Sequence, residues 1–276
     1  MHFDHEALDR LEQAAWDDLW AAAPPDRRSE LGLWARRTGP ALALGSTGVG
    51  SPLFNRVIGL DAGGGPSDAQ VDAIQDAYRE RGTQRYWIHV RESGGADATD
   101  RLLRARGLVR HPRSWWRLTR GRGDPEPVPT PYRLVRARPD HGLAIGRLFA
   151  HAFDVTERVA PVVASIVDRP GWHVLAALDG DTPVGMGALF VQDRLGCLPF
   201  AATHPDHRRR GIQGALMGLR IQTALDLGCE LITTETGEEV PGEPNPSGNN
   251  MFRHGFRRAE TLHNYRPPNR AAGDTA

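Results

Sequence analysis

Lysine is missing from the 276 residues: the 34 basic positions are all arginine, and 34 acidic residues bring the formal charge to zero. No global field therefore draws the chain to nucleic acid or to a membrane surface, so an anion site has to be local. The arginine-only usage reads as mutational bias rather than as function. Cysteine is scarce too, with only Cys197 and Cys229, which argues against a disulfide framework and suits a reducing compartment. No apolar run approaches membrane-spanning length, and Asp4, His5 and Glu6 stand where a secretory leader would be basic and then apolar. A cytoplasmic protein is the expectation.

The chain is long for one typical domain and suits two modest cores. The sharpest boundary is 120–131, where Gly121, Gly123, Pro125, Pro127, Pro129 and Pro131 crowd a stretch without periodicity, as in an extended linker. Domains over 1–122 and 130–276 follow. In the second, strands are expected at 132–137, 172–178, 183–191 and 197–203, with helices at 141–153 and 158–168. Its best helix begins near Gly211, has Ile212, Leu216, Leu219, Thr223 and Leu227 on one face, and stops at Gly228. A strand at 230–236, a short helix ending at His254 and a last strand at 256–265 complete it. The strand, helix, strand order around Gly211 predicts a parallel unit.

The first half is less regular. Its pattern predicts a long helix or helix pair over 3–37, interrupted at Pro24 and Pro25. Strands fit 41–44, 53–60, 85–90 and 114–118, and helices fit 68–81 and 96–106. The closing order, strand, helix, strand, helix, strand, recurs in the second half as a weak internal duplication.

The segment from His204 to Leu216 reads His-Pro-Asp-His-Arg-Arg-Arg-Gly-Ile-Gln-Gly-Ala-Leu and joins a strand to an amphipathic helix. Free amide donors at a helix start, a positive dipole end and guanidinium groups together suit a diphosphate. A solvated charge run at a loop is the competing reading. Gly211 and Gly214 would let an anion approach the backbone closely.

This segment resembles motif A of the GCN5-related N-acetyltransferase (GNAT) superfamily, through Arg208, Gly211 and, departing from the strict consensus, Gln213. The run from Asn245 to Phe256, Asn-Pro-Ser-Gly-Asn-Asn-Met-Phe-Arg-His-Gly-Phe, resembles motif B of one branch of that superfamily. The resemblance covers the second half and implies an α/β fold of two GNAT-like domains. Each would be a mixed, mostly antiparallel sheet flanked by helices, with a parallel strand-helix-strand unit at the cofactor turn.

It also implies acyl transfer from acetyl-CoA, or another acyl-CoA, to a small-molecule amine by a monomer or homodimer, with no metal, nucleic acid or membrane involved. Ala201, Ala202 and Thr203 would pair with the pantetheine arm and receive the thioester carbonyl. Arg208, Arg209, Arg210, Gly211, Ile212, Gln213 and Gly214 would hold the pyrophosphate, and Asn250, or alternatively Asn245, would reach the cofactor from motif B. Glu235 sits at the strand position of the usual base, although an outward strand-end glutamate fits as well. The usual tyrosine acid is replaced by Met251, which leaves Tyr265 as a substitute unless that ring is only packing. A coenzyme A binder without catalysis, a decarboxylase, or an enzyme with a carrier-protein donor are the alternatives.

Other features carry less. His204 and His207 lack a carboxylate or thiolate at ligand spacing and read as turn residues. Cys197 reads as a small buried hydrophobe, and Trp115 and Trp116 as core and interface. Asp154, Glu157 and Arg158 would lie over the acceptor and select its charge, or simply line an exposed face. The first half resembles a GNAT domain that has lost motif A: its turn from Asp61 to Ser67 has glycines but no arginine, while Pro66 removes a donor and Asp61 opposes an anion. A structural or substrate-shaping role follows for that half.

Overall fold

The computed structural model of the chain describes residues 4–92 and 96–268. The expected start of the first helix at Phe3 and the last residues of the second domain lie outside these. Asp4 caps α1 (His5–Ala22) by accepting from the amides of Glu6 and Ala7, which satisfies donors that a helix start leaves open. The expected helix over 3–37 is corrected beyond this point. After Pro24, α2 (Pro25–Glu30) lasts six residues. Gly32, at φ +54°, then turns the chain into β1 (Leu33–Thr38), which forms an antiparallel hairpin with β2 (Ala41–Ser46). Gly39, at φ +58°, supplies the left-handed residue of that turn. Pairing with the adjacent strand overrides the helical pattern here.

The other strands are β3 (Arg56–Ile58), β4 (Trp87–Arg91), β5 (Val109–Arg110), β6 (Trp115–Arg120), β7 (Arg133–Arg136), β8 (Trp172–Asp179), β9 (Thr182–Gln192), β10 (Leu195–Leu198), β11 (Ala201–Thr203), β12 (Leu231–Gly237) and β13 (Arg257–Arg266). The helices are α3 (Asp68–Glu80), α4 (Ala96–Ala105), α5 (Gly142–Ala152), α6 (Ala160–Ala164), α7 (Ile212–Asp226) and α8 (Pro246–Arg253). The expected strand over 197–203 is split: Pro199, which has no amide to donate, falls between β10 and β11.

One 13-stranded sheet runs through both halves in the order β1-β2-β3-β4-β13-β6-β12-β10-β9-β8-β7, with β11 added beside β9 and β5 beside β13. The parallel unit is present, with β10 beside β12 across α7. The last strand of each half lies deep in the other's territory. β6 pairs with β12, and β13, the end of the chain's second half, pairs with β4 of the first. Segment 120–131 is thus a boundary along the chain but not across the sheet. It is also docked rather than free: a Cβ on Gly214 of α7 would come within 3.0 Å of the Val128 side chain. The main core packs α1, α5 and α6 on one face, from Leu11 and Trp16 through Phe149 to Ala202. A separate core of Met217, Ile221 and Ile232 lies under α7.

Candidate active site

Two bonds fix how β11 faces. Ala188 N donates to Phe200 O at 3.0 Å and His204 N donates to Val184 O at 2.8 Å, so residues 200 and 204 turn toward β9. By the alternation of an antiparallel ladder, Ala201 and Thr203 turn their main-chain groups the other way. That edge is open: β10 pairs with β12 only over 195–198, and beyond Pro199 the two strands part. Past β11 the chain reaches Arg209 and Gly211, both left-handed at φ +61° and +78°. Gly211 caps α7 without any side chain closing the first-turn amides. These donors face a groove of about 900 Å³ lined by β11, Arg208, Arg209, Gln213, Gly214 and α8. Gln213 is held by Thr203, whose hydroxyl donates to its carbonyl oxygen at 3.2 Å.

Ala201, Ala202, Thr203, Arg208, Arg209, Gly211, Ile212, Gln213, Gly214 and Asn250 all border this groove. The Nδ2 of Asn250 is buried with no hydrogen-bond partner, a donor awaiting an acceptor. Asn245 caps α8 instead, accepting from Gly248 N at 2.9 Å. Arg210 turns away: its Nη1 donates to the Tyr132 hydroxyl at 2.9 Å, and that hydroxyl also meets His207 Nδ1 at 2.8 Å. His207 is therefore a turn residue that braces the segment before α7 through Tyr132. A coenzyme A donor fits these residues: open helix amides and two arginines for its diphosphate, and an exposed strand edge for its arm.

The groove leads inward. Ala201, Gln213 and Ser247 border both it and a cavity of about 230 Å³ between the halves. Glu235 lines that cavity from β12, opposite Arg117 of β6 in register. The side chain of Glu235 is 15% exposed and lies 3.4 Å from Arg56 Nη1 and 3.6 Å from Arg117 Nε. From α1, Glu12 receives Arg56 at 2.7 Å and Arg117 at 2.9 Å. Arg117 also donates to Asp9 at 2.8 Å and to Glu260 at 2.9 Å. Burial alone would depress the Arg117 guanidinium, but Asp9, Glu12, Glu235 and Glu260 outweigh it and raise its pKa. Burial pushes the Glu12 carboxyl up, and the nearby Glu235 pushes it further. Arg56 lies over Trp16 and Trp115, 5.2 and 5.6 Å from the ring centroids, a cation–π clamp on both sides.

Sequence reasoning missed Glu12, Trp16, Arg56 and Arg117. A signal existed in α1, where Asp9, Glu12, Gln13 and Trp16 share the buried face with Leu8 and Leu19. Acids on an apolar helix face need partners, and here those come from β3 and β6. The tryptophan run of β6 also resolves into site geometry, because Trp115 and Arg117 face the cavity.

Other expectations land elsewhere. Tyr265 belongs to the core of the first half, with Ile88 and Leu103, and its hydroxyl donates to Asp100 at 2.5 Å. It does not line the cavity, so the substitute acid expected there is corrected: β13 carries it across into the other half. Met251 does line the cavity. Cys197 lines it too, with its thiol pushed up by burial and then by Glu12 and Glu235, which leaves it protonated and unreactive. Asp154, Glu157 and Arg158 are exposed, and Phe153 faces the cavity in their place. In the first half, Glu6 accepts the Gly63 amide at 2.9 Å, and Asp61 accepts the Arg91 amide at 2.9 Å. Carboxylates thus occupy the glycine turn.

A splayed mixed sheet with an anion-ready helix start at the splay defines the architecture of an acyltransferase-like α/β protein. Residues 144–256 match the family model described as Acetyltransferase (GNAT) family. No curated protein matches the chain in sequence. Its fold is similar to that of a GCN5-related N-acetyltransferase from Kribbella flavida (15% identity, 88% of this chain and 92% of that one, TM-score 0.60). It is also similar to a GCN5-related N-acetyltransferase from Sphaerobacter thermophilus (14%, 82% and 79%, 0.59). A third likeness is a tandem GNAT protein from the clavulanic acid biosynthesis pathway (15%, 84% and 81%, 0.58). No helix among the described residues is long and apolar enough to cross a membrane.

Proposed function

We propose that the protein is an N-acyltransferase that moves an acyl group from an acyl-CoA to a small amine. Residues 130–276 form the catalytic domain in this reading, and residues 1–122 form a GNAT-like domain without a phosphate turn. The observation that carries it is the junction at Ala201, Gln213 and Ser247, where the amide-lined groove opens into the cavity beside Glu235.

The acyl-CoA supplies the activated carbonyl. The open edge of β11 orients it, and a main-chain donor there stabilises charge gathering on its oxygen. Glu235 takes one proton from the acceptor's ammonium. The amine nitrogen then bonds to the carbonyl carbon as the carbon–sulfur bond breaks. The second nitrogen proton is transferred to the departing sulfur, giving an amide and free thiol. Arg56 and Arg117, 3.4 and 3.6 Å from its carboxylate, hold Glu235 in place. The first half supplies Glu12, Trp16, Leu53, Arg56, Trp115 and Arg117 to the cavity wall, so it shapes the acceptor pocket.

Calorimetric titration of acetyl-CoA tests the donor site. Micromolar binding, about −8 kcal/mol, lost in an Arg209→Ala, Gly211→Glu double variant is the expected result. The absence of binding by folded wild type would refute the reading. One specific observation favours a second reading, a non-catalytic acyl-CoA binder: Met251 faces the cavity where a tyrosine acid would stand, and Tyr265 is bonded elsewhere. Turnover with any amine in a broad panel would eliminate it.

A further inference from the structure

A guanidinium is among the costliest groups to bury without an anion. Arg220 on α7 is 2% exposed and has no carboxylate partner among the described residues. Its Nη1 donates to Ala188 O at 3.3 Å and to Phe200 O at 3.5 Å, and its Nε to Leu216 O at 3.3 Å. Its Nη2 finds only the Met217 sulfur, at 3.7 Å. These are long contacts to neutral acceptors. The fold makes room for them: a Cβ on Gly187 would stand 2.7 Å from Arg220 Nε. Burial lowers the Arg220 pKa to about 10, which leaves it cationic at neutral pH.

Arg220 lines the same cavity as Glu235, yet its setting differs from that of the other two arginines there. Arg56 and Arg117 are met by Glu12 and Glu235. Arg220 meets the Met217 sulfur and shares the cavity wall with the apolar side chains of Leu198 and Met251. It bonds the carbonyl of Phe200, next to Ala201, where groove and cavity meet. An acyl chain entering from a thioester at Ala201 would run past this lone cation, and a cavity of about 230 Å³, the volume of roughly seven waters, has room for more than two carbons.

We propose that Arg220 determines the donor: the site takes a short acyl-CoA whose chain ends in a carboxylate, a dicarboxylic monothioester, in preference to acetyl-CoA. The carboxylate would give the buried guanidinium the charged partner it lacks, in a bidentate pair. This step rests on the acyltransferase reading of the groove.

The test is titration of succinyl-CoA, its neutral length match butyryl-CoA, and acetyl-CoA into wild type, Arg220→Met and Arg220→Lys. The proposal expects wild type to bind succinyl-CoA at least tenfold more tightly than butyryl-CoA. Met should abolish that preference while holding butyryl-CoA affinity within threefold, and Lys should retain part of it. Equal wild-type affinity for the two matched donors, a result that needs no variant, overturns the proposal and leaves the donor site standing. A parallel loss of all three donors in the Met variant also overturns it, because Arg220 would then only brace the Phe200 turn. Failure of every acyl-CoA to bind wild type overturns the acyltransferase reading together with this one.

Discussion

Gly211 offers a measurement in which the structure provides its own control. It sits at φ +78°, and a Cβ there would stand 2.2 Å from Pro129 O. Gly228, just past the far end of α7, has nearly the same conformation, φ +82°, with nothing within 4 Å of a Cβ. Replacing either by alanine costs about 1–2 kcal/mol for holding an L-residue in the left-handed region. Only Gly211→Ala must also displace Pro129 by about 1 Å to restore normal contact. That shift breaks the bond from the Thr130 hydroxyl to Arg210 O, 2.9 Å long, worth about 0.5–1.5 kcal/mol. It also disturbs Val128, which packs on Gly214 beside the groove. Gly211→Ala should therefore cost about 2–4 kcal/mol, a melting shift of about 4–16 °C at about 2–4 °C per kcal/mol, with Gly228→Ala costing about half of that. Thermal unfolding of both variants, and acyl-CoA titration at a temperature where both stay folded, read this out. The Gly211 variant alone should bind acyl-CoA more weakly. Equal melting shifts together with unchanged binding in both would show that the linker does not press on the helix start and that the groove does not depend on it.

Glu235→Gln should lower kcat/KM for amine acylation by about 10²–10⁴ while acyl-CoA binding stays unchanged; steady-state kinetics with an unaltered rate would remove Glu235 as the base. Asn250→Ala should weaken acyl-CoA binding by about 0.5–1.5 kcal/mol, measured by calorimetry at fixed salt. Breaking the buried charge cluster by Arg117→Met leaves Asp9, Glu12 and Glu260 without their shared cation and should destabilise the fold by about 3–5 kcal/mol, read by denaturant unfolding. His89 is held neutral, its pKa lowered from 6.5 to about 3 by burial and then by Arg56. A depressed histidine lends stability that is fully present above its unfolded value and is lost as pH falls from there toward the folded value, so wild type should lose up to roughly 4–5 kcal/mol between about pH 6.5 and 3. Burial raises Glu12, Asp9 and Glu260, which slopes the opposite way, so the histidine effect is the wild-type slope minus that of His89→Gln, and identical slopes would refute it.

Much of the second half was legible because its signals are local. The apolar spacing from Ile212, with Gly211 and Gly228 at the ends, gives α7 as observed over Ile212–Asp226, and Asn245 and Gly255 bracket α8. The groove residues lie in motifs short enough to be read along the chain, and Glu235 is singled out by its strand position in the resemblance. What stayed hidden depends on contacts between distant segments. Arg210 reads as one more cation in an arginine run until Tyr132, 78 positions earlier, takes its Nη1. Tyr265 reads as a strand aromatic near the site until β13 is placed beside β4 and β5 of the other half. The hairpin of β1 with β2 is the local exception, masked by the helical pattern read over 33–37. The acids of α1 were visible as residues, but their partners Arg56 and Arg117 are 44 and 105 positions away.

The strand exchange explains why a half without its own phosphate turn stays joined to the one that has it. β6 lies directly between β12 and β13, so the first half places Arg117 against Glu235 as part of the sheet and not across a loose interface. A buried ion network adds little net stability, because desolvation offsets most of its attraction. Its value here is geometric. Arg117 can meet Asp9, Glu12 and Glu260 together only when α1, β6 and β13 are all in register. The same register sets Glu235 opposite Arg117, on the wall of the cavity that Ala201 of β11 also borders. On the acyltransferase reading proposed above, the half without the turn thus determines where the carboxylate stands, and the half with the turn determines where the thioester arrives.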